Sequence, residues 1–167
     1  MFELKPLSVE GIPAAFEKAE RYRAINQPWQ AESICRDILA VEPDNQGALV
    51  ALLLALTDQF GKEMGANPAA AWDLIPQLEG DYAKDYYSGI IAERRARSML
   101  ARGGPGSGEA AYELLQQAME SYGRAESLKP PGNDDAILRW NTCARMLMRN
   151  PDHLRPPEVA AMEQPLE

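Results

Sequence analysis

A chain of 167 residues, 46% hydrophobic and 25% charged, is long enough for one domain with its own core and too apolar to stay disordered. Its formal net charge of -8 repels phosphate backbones and anionic lipid, which argues against nucleic-acid or membrane binding over the whole surface. Only a local basic patch escapes that argument.

Apolar residues recur at three- and four-residue spacing almost everywhere, with Pro, Gly and Asn between the periodic stretches, and no segment reads as a strand. The spacing predicts a first helix over about 12–26, with Ala15, Phe16, Ala19, Tyr22 and Ile25 on one face. Gln27-Pro28 breaks it and opens a second, over about 28–41, which buries Ala31, Ile34, Cys35, Ile38 and Leu39. Pro43 stops that helix, and Asp44 or Asn45 caps a third. The run "ALVALLLAL" is apolar on nearly every side, as expected of a central helix covered on several faces. That run, Ala48 to Leu56, is far shorter than the roughly 20 residues of a membrane-spanning helix.

Asn67-Pro68 starts a fourth helix reaching about Leu78, bent or frayed at Pro76. A long fifth spans about 81–102, "GGPGSG" follows as a turn, and a sixth spans about 109–128. Asn133 or Asp134 caps a seventh that ends near Asn150-Pro151, and the Pro-rich tail is expected to be loosely held or to pack back as a short segment. The expected organisation is an N-terminal extension over 1–11, one helical domain over 12–150, and a tail over 151–167.

Internal repetition sharpens this outline. "AESICRDILAVEPDN" and "AMESYGRAESLKPPGN" share one spacing: Ala31, Cys35, Ile38 and Pro43 in the first; Ala118, Tyr122, Ala125 and Pro130 in the second. A small residue lets the paired helix approach, and the later ones fill the gap to the next helix. This resembles the second helix of a tetratricopeptide repeat, with Ala19 and Tyr22 matching the small residue and aromatic of the first helix. One unit, 12–45, fits without gaps; a weaker unit spans 46–79, a lengthened one 80–132, and a closing helix 134–149. In the third, Gly89 takes the small mid-helix position. The resemblance implies an all-α array of about seven helices, with antiparallel pairs stacked in a short right-handed superhelix.

Such pairs cannot bury their apolar faces alone, so they stack and leave the first helices on a concave face that receives a peptide or a partner's helix. The expected groove residues are Phe16, Glu20, Arg23, Val50, Leu54, Tyr86, Tyr87, Arg94 and Arg97, with Glu17, Ala24, Ala51, Thr57, Asp58, Ile90 and Glu93 around them. Family members that clamp the acidic C-termini of heat-shock chaperones place Lys, Asn and Arg at such positions. Here Phe16, Glu17, Glu20, Val50 and Leu54 would present like charge and apolar walls to a carboxylate, so that activity is not expected.

Catalytic patterns are weak throughout. "GGPGSG" is followed by Glu109 and lacks the lysine of a phosphate loop, so it reads as a turn. His153 is the single histidine and reads as a surface residue, which leaves no His-pair metal site. Asp134 and Asp135 read as helix-start caps. Cys35 and Cys143 sit inside apolar helical patterns as free, buried, unreactive thiols. That usage favours a reducing compartment, and "MFELKPLSVEGIPAAF" lacks the basic start and apolar core of a secretory signal, so a cytoplasmic location is expected.

"ERRARSMLAR" carries Arg94, Arg95, Arg97 and Arg102, with Arg94 and Arg97 on one face; this is mainly a solvated face and also the best polar hot-spot candidate. Trp72 and Trp140 are expected to pack between helices, and one of Tyr86 and Tyr87 to expose its ring. The reading is a non-enzymatic, cofactor-free module that binds another protein. The alternative is a scaffold that self-associates through its terminal helix, "AILRWNTCARMLM", or its tail.

Overall fold

Prolines and asparagines set the helix boundaries. The computed structural model describes residues 2–157, and among them the backbone is entirely helical or irregular, with seven α-helices and no strand. They are α1 (Ile12–Ala24), α2 (Pro28–Val41), α3 (Gln46–Thr57), α4 (Pro68–Trp72), α5 (Asp81–Arg102), α6 (Ser107–Leu128) and α7 (Asp135–Arg149). Short 3-10 turns cover Val9–Gly11 and Ile75–Gln77. Asn26 turns the chain between α1 and α2 at φ 59, a left-handed conformation asparagine tolerates, and Pro28 occupies the first turn of α2. Asn45 then caps α3: its side-chain oxygen accepts from the Ala48 amide at 2.9 Å while its amide donates to Glu42 at 2.8 Å. Of the two residues that could cap this helix, Asn45 does so. Asn67 repeats the device on α4, accepting from the Ala69 amide at 3.0 Å.

Consecutive helices pair: α1 with α2, α2 with α3, α6 with α7, and the long α5 along the length of α6. The small residues that marked the repeat are in the interior; Ala19, Ala31, Ala118 and Ala125 are buried, as are Cys35, Ile38 and Tyr122. α3 is covered on most sides, with Leu49, Leu52, Leu53 and Leu56 all buried. Each such leucine stabilises the fold by roughly 1.5–3 kcal/mol relative to exposure. Two main apolar cores result, with a small third cluster of Ile12, Ile38 and Ala48. One core joins α1–α4 to Ile91 of α5; the other fills the space between α5, α6 and α7. Leu54 and Tyr87 pack against both.

Several boundaries differ from those expected. α1 ends at Ala24, two residues early, where the turn to Pro28 begins. α4 stops at Trp72, and Pro76, with no amide to donate, sits in a separate 3-10 turn rather than in a bent helix. α6 begins at Ser107, so the last two residues of "GGPGSG" belong to a helix. A Cβ on Gly108 would lie 2.1 Å from the His153 carbonyl oxygen. Glycine there admits the segment that carries Leu154 into the second core. The tail thus packs back through Leu154, and the part of the expected tail over 158–167 lies outside the described residues. The extension is anchored as well: Ser8 caps the first 3-10 turn, and Leu7 packs beside Ile12.

The tryptophans depart from the packing expected of them. Trp72 and Trp140 are exposed, as is Trp29. In α7, Ala136 and Cys143 define the inward face, and Trp140 lies to one side of it.

Candidate partner-binding surface

α1 and α3 end at a common level beside the middle of α5, where one carboxylate holds all three. Asp58, the residue after α3, accepts from Arg23 of α1 at 3.0 Å through one oxygen and from Arg94 of α5 through the other. Arg94 also donates to the Thr57 hydroxyl at 2.7 Å and to the Leu54 carbonyl at 3.3 Å. A guanidinium at a helix C-terminus satisfies carbonyls that have no partner within the helix and complements the dipole. Burial lowers the Arg94 pKa, and the adjacent Asp58 charge opposes that shift.

A second carboxylate organises α5, α6 and α7. Glu93 is 1% exposed, a position where a carboxylate persists only with partners. One oxygen accepts from the Tyr122 hydroxyl of α6 at 2.8 Å. The other accepts from Arg97 at 3.1 Å and Arg139 of α7 at 3.4 Å. Burial raises the Tyr122 pKa, and the neighbouring Glu93 charge adds to the effect. Rings line the same region: Tyr82 stacks on Tyr86 with centroids 5.8 Å apart, Tyr86 meets Tyr87 edge-on at 5.1 Å, and Tyr86 lies 5.8 Å from Tyr122.

The expected groove residues therefore fall into two rows. Nearer the helix N-termini, Phe16, Val50 and Tyr87 are half-buried against the first core, with Phe16 in contact with Gly47 beside an apolar pocket of about 340 Å³ that Ile12 and Pro13 also line. Towards the C-terminal ends of α1 and α3, Arg23 and Leu54 meet Arg94 of α5 at Asp58. Tyr86 packs towards the second core. Arg97 is half exposed and anchored on Glu93, and Glu20 is exposed, 3.8 Å from Arg23. The tyrosine pair corrects the expectation: Tyr86 and Tyr87 are both partly buried and neither ring is fully exposed, because α3 and α6 flank α5 on opposite sides.

The expected groove includes the positions of Asp58 and Glu93 but assigns neither a part in joining the helices. The signal for Glu93 was its helical phase: Gly89, Glu93 and Ala96 share the buried face of α5.

No protein-family model, curated protein or solved structure matches the chain.

Among the described residues no cluster of His, Cys, Asp and Glu could hold a metal ion, and no helix is long and apolar enough to cross a membrane. Cys35 and Cys143 are free and buried. Burial pushes the Cys35 thiol up to about 11 and the Cys143 thiol up to about 12. The thiolate is the reactive form, so at mildly alkaline pH iodoacetamide will label the folded chain more than about tenfold more slowly than the chain in concentrated guanidinium. Equal rates in a mass-spectrometric time course would show that the thiols are accessible.

Proposed function

We propose that the chain is a cytoplasmic, non-enzymatic protein-interaction module built of tetratricopeptide-like repeats, with a partner's peptide or helix lying across α1, α3 and α5. The observation that carries this reading is the meeting of Arg23, Leu54 and Arg94, residues from three helices not consecutive in sequence, around Asp58. The alternation of pairing, α1 to α2 and α2 to α3, also supports a stacked array. Phe16, Val50, Leu54, Tyr86 and Tyr87 supply apolar area. Asp58 and Glu93 hold Arg23, Arg94 and Arg97 in fixed orientations, so a partner meets a preorganised polar edge.

Co-purification of partners with Leu54→Glu, and separately with Tyr86→Ala/Tyr87→Ala, tests the surface. Loss of a central anchor costs about 2 kcal/mol or more, so recovery of a specific partner falls more than about tenfold. Undiminished recovery by folded variants rejects the reading. A second reading, self-association through α7, is favoured by the exposure of Leu138, Trp140 and Met148 on that helix. Sedimentation velocity over a range of concentrations separates the two, since a strict monomer removes the second.

A further inference from the structure

α5 runs about two turns past the end of α3. Arg94 holds the last turn of α3, and the eight residues from Arg95 to Arg102 continue beyond it. The loop after α3 folds beneath this overhang and borders a partly open pocket of about 320 Å³. Arg95, Ser98 and Arg102 line it from the helix; Gly61, Lys62 and Gly65 line it from the loop. Spacings of three, four and seven residues place Arg95, Ser98 and Arg102 on one face of α5, about 100° round the axis from Arg94. The pocket shares no lining residue with the partner surface.

Charge sets this pocket apart. The chain holds 25 acidic residues against 17 Lys and Arg, yet this pocket is lined by two arginines and a lysine and, among the described residues, by no carboxylate. Arg23, Arg94, Arg97 and Arg139 each neutralise Asp58 or Glu93. Arg95 and Arg102 form no ion pair with any described carboxylate. Lys62 donates to Asn26 at 3.1 Å and lies over the Trp29 ring, so its ammonium is held against residues that do not line the pocket. The loop wall is close-fitting. Gly61 adopts φ +75, and a Cβ there would lie 2.8 Å from the Ser98 hydroxyl; a Cβ on Gly65 would strike the Gln59 carbonyl at 2.2 Å. Backbone therefore closes one side of the pocket while guanidinium and hydroxyl donors line the other.

We infer that this pocket binds a small phosphorylated molecule. Guanidinium forks match phosphoryl oxygens in pairs, and the volume is at the lower end for small-ligand sites. Arg95 and Arg102 stand about 10.5 Å apart along the helix axis, which suits two linked phosphoryl groups better than one, with the Ser98 hydroxyl between them. The overall negative charge weakens the approach of any anion, so binding depends on these two arginines and declines with added salt.

The test is an amide chemical-shift titration of the full chain with inorganic pyrophosphate, with orthophosphate and a phosphoserine peptide as parallel arms. Saturable shifts centred on Gly61, Gly65 and Ser98 are expected with pyrophosphate, and weaker ones with orthophosphate. The double variant Arg95→Gln/Arg102→Gln should bind pyrophosphate more than tenfold more weakly; both side chains are exposed, so its thermal midpoint should match that of the unaltered chain. Arg149→Gln, also exposed, should bind as the unaltered chain does. Tighter binding of the peptide than of pyrophosphate at the same amides would make a phosphorylated protein the source of the anion and overturn the small-molecule assignment. Absent or non-saturating shifts, shifts centred elsewhere, or equal binding by the double variant would overturn the site itself.

Discussion

Replacing Glu93 with alanine is expected to destabilise the chain by about 3–5 kcal/mol, the range for removing one partner of a buried ion pair. The cost comes from what remains. The Tyr122 hydroxyl, donated to Glu93 at 2.8 Å, would be left in the interior without its acceptor. Arg139 of α7 would lose its carboxylate partner, and Arg97, being half exposed, would turn to water at little cost. Urea unfolding monitored by circular dichroism measures the loss. Tyr122→Phe separates the components: it removes only the hydroxyl and should cost about 1–3 kcal/mol, because the Glu93 carboxylate retains its arginines. A Glu93→Ala variant as stable as the unaltered chain would mean that the carboxylate contributes nothing to holding α5, α6 and α7 together.

The second large effect reverses a rule. Glycine inside an exposed helix is less stable than alanine by about 1 kcal/mol, so Gly89→Ala would ordinarily stabilise α5. Here a Cβ would lie 2.5 Å from the Tyr122 Cε1 atom, 2.7 Å from Cδ1 and 2.9 Å from Cζ. The ring is fully buried and held at its far end by Glu93, so it cannot rotate away without breaking that bond. Overpacking of this kind costs typically about 1–3 kcal/mol. Gly89→Ala is therefore expected to lower stability by up to about 2 kcal/mol net, read as a lower urea midpoint with an unchanged slope. Combined with Tyr122→Leu, which shortens the obstructing side chain, the same substitution should cost less. A stabilised single variant would show that α5 and α6 can separate freely at this level.

Much of the fold was legible because its signals are local. Pro28, Asn45, Asn67 and Pro68 act on their own helix ends through backbone geometry, and they are found in the expected roles. The spacing of Ala31, Cys35 and Ile38, and of Ala118, Tyr122 and Ala125, identified buried positions because a helix face repeats at fixed intervals. The errors lie where tertiary neighbours decide. Nothing local to Trp72 or Trp140 shows that no helix covers them. The close approach of the distant His153 backbone to the first turn of α6 depends on Gly108. At the candidate surface, the arginines were visible as residue types, but their carboxylates were not visible as partners: Asp58 and Arg94 stand 36 residues apart in the chain, and Glu93 and Arg139 stand 46 apart. The pocket beneath α5 was hidden for the same reason, since it exists only where one helix outlasts another.

The single carboxylate of Asp58, held by guanidiniums from opposite flanks, acts as a crossbar. Any movement that spread α1 from α5 would have to break one of its bonds and strand a partly desolvated ion. A guest that wedges the helices apart meets that resistance, whereas one laid flat over the crossbar leaves it intact. On the proposed reading, the framework favours slender, extended partners over bulky ones before any side chain has been recognised.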